Sequence, residues 1–131
     1  MLLEIGKYAE SEIVVSKANT ALNVGSGSLA VFATPMLAAL MENAAIKCID
    51  GYLDKSFTTV GIALNIEHTK ASLIGEKIVA KATLVEIKGR ELLFNVEARD
   101  RSGIIGKGVH KRFIVDAEKF MNKLKAQKNI D

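Results

Sequence analysis

The chain has 131 residues, 49% of them apolar and 25% charged, with a formal net charge of +3. That is enough chain for one folded unit with its own core, and the composition is too ordinary for a disordered or fibrous protein. One cysteine (Cys48) excludes an internal disulfide, and Glu4 stands where a signal peptide would need a basic start.

No apolar run approaches the roughly 18 residues of a membrane span. The expectation is therefore a cytoplasmic protein, one domain over residues 1–131, with no membrane partner. The mild positive balance suits an anionic ligand. With no Trp and two Tyr there is no aromatic platform for stacking bases, so nucleic acid is not expected as a partner.

In chain order, the segment Ala9 to Val15 reads as a first strand, followed by a loop of small residues from Asn23 to Ser28. Thr34-Pro35 is a helix start, with a hydroxyl at the cap and proline in the first turn, where no amide donor is needed. Leu37, Leu40, Met41, Ala44, Ala45 and Cys48 follow at helical spacing, and Gly51 is a plausible stop. The period then changes to two. Thr58 to His68 alternates, with Val60, Ile62, Leu64, Ile66 and His68 on one face. Gly75-Glu76 turns the chain into a strand with Ile78, Ala80, Ala82 and Leu84, and Lys88-Gly89-Arg90 reads as a hairpin. Leu92, Phe94, Val96 and Ala98 form the next strand. After Arg101-Ser102-Gly103, the residues Lys107, Val109, Lys111, Phe113 and Val115 share one face of the last. Asp116 then caps a basic helix with Phe120, Met121 and Leu124 on its apolar side. The plan is α+β: one long helix against an antiparallel sheet of five to six strands. One helix cannot cover such a sheet alone, so either the sheet wraps around it or a second copy covers the rest.

Three residues stand out chemically. Glu42 is off the solvated face marked by Asn43, Lys47 and Asp50, and its helical neighbours are Ala38, Ala39, Ala45 and Ile46. No basic residue lies at helical spacing to pair with it. It is either an edge carboxylate reaching for water or a functional one. His68 shares parity with Ile62, Leu64 and Ile66. It is either a strand-end histidine bonded to backbone or a general base. Thr34 is explained as a helix cap, yet a helix N-terminus also favours developing negative charge. Two His and one Cys fit no zinc spacing, so no metal is expected.

These residues carry a family resemblance. TPMLAALME (Thr34 to Glu42), then AAIKCIDGYL, then TTVGIALNIEH ending at His68, resemble the fluoroacetyl-CoA thioesterase-like branch of hot-dog proteins. That pattern is a Thr, a Glu eight residues later in the helix, and a His twenty-six residues further on in a strand; Thr34, Glu42 and His68 match each interval. GRELLFNVEARD and GIIGKGVHKRFIV also resemble the family's later strands, so the likeness spans nearly the whole chain.

The resemblance implies a hot-dog fold and self-association as a homodimer or a larger assembly, with acyl-CoA held at the subunit interface. It implies hydrolysis without metal or separate cofactor, coenzyme A being part of the substrate. Thr34, Glu42 and His68 would be the catalytic group. Gly61 would let the acyl group approach the backbone, and His110 and Arg112 would help hold CoA phosphates. The stretch Gly25 to Phe32 lacks the aromatic-rich lid of a fluoroacetyl-selective enzyme, so thioesterase chemistry carries over while acceptance of a fluorinated acyl group stays open. Two other readings stay open, a non-catalytic acyl-CoA binder and a hot-dog hydratase or dehydratase. Free thiol, neither product, or a changed double bond tells the three apart.

Overall fold

The computed structural model describes residues 3–130; Met1, Leu2 and Asp131 lie outside them, and so does that part of the N-terminal reading. In order, the chain forms β1 (Tyr8–Val14), α1 (Ala21–Val24), α2 (Thr34–Ile49), β2 (Phe57–His68), β3 (Lys77–Lys88), β4 (Glu91–Asp100), β5 (Gly103–Asp116) and α3 (Ala117–Lys128). The five strands make one antiparallel sheet in the order β1-β3-β4-β5-β2, with β1 and β2 at its edges.

The apolar stripe of α2 is what joins helix to sheet. Leu37, Leu40, Met41, Ala44, Ala45 and Cys48 are all buried, with Ile49 continuing the row. Each large side chain buried this way contributes about 1.5–3 kcal/mol. They pack on Ile78, Ala80, Ala82 and Leu84 of β3 and on Leu92, Phe94 and Val96 of β4, the inward residues that alternation predicts. Gly51, at φ +80°, ends the helix in the left-handed conformation that favours glycine. Asp116 caps α3, accepting a hydrogen bond from the Lys119 amide at 3.1 Å. No helix among the described residues is long and apolar enough to cross a membrane.

One expectation about the sheet needs correction. Gly61 pairs with Arg112 but Ala63 pairs with Lys111, so Ile62 is an extra residue in a β-bulge. A bulge reverses parity. Leu64, Ile66 and His68 share a face with Gly61 and Thr59, while Val60 lies on the other face, opposite Phe113. Ile62 itself is exposed.

On β5, Gly106 and Gly108 sit against β2 where no side chain fits. A Cβ on Gly108 would run into the Asn65 carbonyl and the Ile66 Cα, and one on Gly106 would come within 2.7 Å of the Glu67 carbonyl. These obstacles are backbone and cannot swing aside. Gly108→Ala should therefore cost roughly 2–3 kcal/mol of stability, read as a lower midpoint in urea denaturation. A variant as stable as its parent would show that the β2–β5 pairing can relax there.

Candidate functional site

Thr34 does not cap α2. The N-cap is Ala33, buried and tied by its amide to the Asn19 carbonyl at 3.0 Å, which places Thr34 at the first helical position. Its hydroxyl is thereby free of capping and meets His68 Nδ1 at 2.8 Å. The His68 ring stands edge-on to Phe32, with 6.4 Å between centroids. Its Nε2 is buried and has no hydrogen-bond partner among the described residues. Burial pushes the His68 pKa below the ordinary imidazole range, so the neutral ring dominates at neutral pH. A neutral imidazole bonded to a hydroxyl can take that proton, and it can return a proton to a leaving group.

Glu42 lies elsewhere. Its side chain is 39% exposed, and Oε2 occupies space that only glycine leaves open. A Cβ on Gly61 would be 2.9 Å from Oε2. The cation missing from its own helix comes from β5: Arg112 Nη1 is 3.5 Å from Oε2. Arg112 is itself buried and held from three other directions. Its Nε donates to Thr59 Oγ1 at 2.8 Å, its Nη2 donates to the Thr59 carbonyl at 3.1 Å, and its Nη1 lies 3.1 Å from His110 Nε2. His110 is 1% exposed. Burial lowers its pKa, and the Arg112 charge adds to that against the pull of the Ala63 carbonyl and Glu42.

Within the chain the three expected residues therefore do not form one group. Thr34 and His68 meet, whereas Glu42 joins Gly61, Arg112 and His110. Eight residues of α2 separate Thr34 from Glu42, about 12 Å of helix, and His68 lies about 20 Å along β2 from Gly61. A second expectation also changes. His110 and Arg112 point inward beneath Glu42, not outward where CoA phosphates would find them, because pairing with Leu64 and Gly61 puts both on the inner face. Thr59 went unnoticed in the sequence. Nothing local marks it, since its partner is fifty-three positions away.

The fold is that of the hot-dog proteins, and similarity to known proteins places the chain among the thioesterases of that fold. A hot-dog-like protein from Thermanaerovibrio acidaminovorans shares the fold, with a TM-score of 0.86 at 19% identity over 94% of this chain and 91% of that one. Residues 15–118 match the family described as FlK, fluoroacetyl-CoA-specific thioesterase, and the chain belongs to that family. The fluoroacetyl-CoA thioesterase of Streptantibioticus cattleyicolor is 35% identical over 95 residues, which are 72% of this chain and 68% of that protein. A crystal structure of the fluoroacetyl-CoA thioesterase FlK superposes with a TM-score of 0.88 at 30% identity, covering 96% of this chain and 98% of that one.

The two depressed imidazoles have a thermodynamic signature. The unfolded chain takes up their protons first, at an ordinary pKa of about 6.5. The stability they give the folded form is full above that pH and is lost as pH falls below it. Urea midpoints should decline between pH 7 and pH 5, and decline less when His68 and His110 are each replaced by Gln. An equal decline in parent and variants would assign the effect to other groups.

Proposed function

We propose that this chain hydrolyses acyl-CoA thioesters to free acid and CoA, in the cytoplasm, as a homodimer whose sites are shared between subunits. The observation that carries the reading is Glu42: a carboxylate set on a bare glycine beside a buried guanidinium, with its other side open. That is a place for a small electrophile with developing negative charge.

Sharing between subunits is supported by the free edge of the sheet. β2 is twelve residues long, and between Phe57 and Ile66 it carries no charge and no proline. Edge strands left exposed are normally blunted by such residues. Two copies paired antiparallel through β2, with the two-fold axis between Leu64 and Asn65, would set Gly61 of one opposite His68 of the other. The pair Thr34 and His68 would then face Glu42 of the partner subunit, and all three residues would meet twice per dimer.

In such a site the thioester carbonyl lies near the Gly61 amide, and the positive charge of Arg112 favours the tetrahedral oxyanion. Glu42 acts on the carbonyl carbon, directly or through water. A C–O bond forms and the C–S bond breaks; the neutral His68 ring, which Thr34 orients, takes a proton from the hydrolytic water and passes it to the thiolate of CoA. Water supplies the oxygen of the acid.

Free-thiol release from a panel of acyl-CoAs should be abolished, by roughly 10²-fold or more, in Glu42→Gln. No release by the parent protein, with acyl-CoA binding retained, would replace the hydrolase reading by a binding one. Sharing has its own test. Co-expressed Thr34→Ala and Glu42→Gln chains, each inactive alone, should regain about a quarter of parental activity, because half the dimers are mixed and one of their two sites is intact. If each site were built within one subunit, the mixture would stay inactive.

A further inference from the structure

The geometry points to His110 as a positioning residue: a neutral imidazole, fixed as the Nδ1–H tautomer, whose Nε2 lone pair draws Arg112 Nη1 into line with Glu42. This rests on the hydrolase reading only for its kinetic consequence.

Each partner of the ring leaves one choice. Nδ1 is 2.7 Å from the Ala63 carbonyl oxygen, which can only accept, so Nδ1 carries the proton. Nε2 is 3.1 Å from Arg112 Nη1, which can only donate, and 4.0 Å from Glu42 Oε2, beyond hydrogen-bond reach, so Nε2 is the acceptor. A proton on Nε2 would set two donors against each other in a buried space, beside a fixed positive charge. The ring is stacked at 29° on Phe94, with centroids 6.3 Å apart, and has no room to flip its contacts.

The β2 bulge belongs to this arrangement. Ala63 is the first residue after the extra one, and its carbonyl turns to the His110 ring although Ala63 is in register with Lys111. A continuous chain of hydrogen bonds then runs from the bulge through His110 to Arg112 and on to Glu42. Thr59 fixes the far side of the guanidinium through Nε and Nη2. Nη1 is left with two calls on it, His110 at 3.1 Å and Glu42 at 3.5 Å. His110 thus keeps Arg112 near the carboxylate without letting it close into a tight ion pair. A short, two-point pair would neutralise Glu42 and bind it down. The longer contact leaves it directed and available.

Two measurements test this. The first needs no substrate: a long-range proton–nitrogen NMR spectrum of the parent protein labelled with 15N in its histidines. His110 should appear as the neutral Nδ1–H tautomer at pH 7. An Nε2–H tautomer or an imidazolium at that pH overturns the assignment. The second uses His110→Gln, whose amide oxygen reaches the place of Nε2, and His110→Leu, which fills the space without an acceptor. The Leu variant should lose roughly 10²-fold in kcat with KM little changed, and the Gln variant should recover most of that. Thermal melts confirm that both fold. Equal kcat in the two variants, whether high or low, overturns the positioning role. Should the parent release no thiol at all, the hydrolase reading fails while the tautomer still decides the geometry.

Discussion

A guanidinium in a protein interior must be satisfied from every side, and Arg112 organises its surroundings accordingly. The residue sits on the inner face of β5 because its register with Gly61 and Leu92 leaves no alternative. Two donors go to Thr59, one to His110 and Glu42 together. Opposite stands a glycine, since a methyl group there would press on Glu42, Arg112 and His110 at once. Removing Thr59, His110 or Glu42 would cost the buried guanidinium an acceptor, and filling the space at Gly61 would press on the group, which is why a Thr, a His, a Glu and a Gly from three elements converge there.

Much of the fold could be read from periodicity. The α2 stripe and the inward rows of β3 and β4 followed from spacing alone, because those elements are regular and one face of each is buried. Counting failed where the chain departs from regularity. The parity of β2 breaks at Ile62, and a single inserted residue leaves no trace in a run that is apolar on both sides of it. Thr34 looked like a cap because hydroxyl followed by proline usually is one. What displaced it was Asn19, whose backbone carbonyl captures the amide of Ala33 from fourteen residues upstream.

The site was legible to a different degree. Glu42 announced itself by lacking a partner on its own helix, and the partner proved to be on β5. His110 and Arg112 were noticed only as groups for CoA phosphates, and their burial was not foreseen, since charged and aromatic-nitrogen side chains in an alternating segment are ordinarily read as facing water. The glycines before them at the same parity, Gly106 and Gly108, were the available sign of the true inner face: β5 comes too near β2 there for side chains. Spacing puts Thr34 and Glu42 about 12 Å apart along the helix without saying what that distance is for. They are two turns from each other on one helix, and only the position of β2 at the sheet edge gives that distance a meaning.

The separation of Thr34 and His68 from Glu42 has a consequence for descent. On the proposed sharing of the site between subunits, a chain that holds one half at the start of a helix and the other at its middle does not need both halves to survive in every copy. After a gene duplication, one daughter could keep the hydroxyl and imidazole while the other kept the carboxylate, each decaying where it was no longer used. The pair would then persist as an obligate heterodimer with one working site and one vestigial one, and neither gene read alone would look like an enzyme.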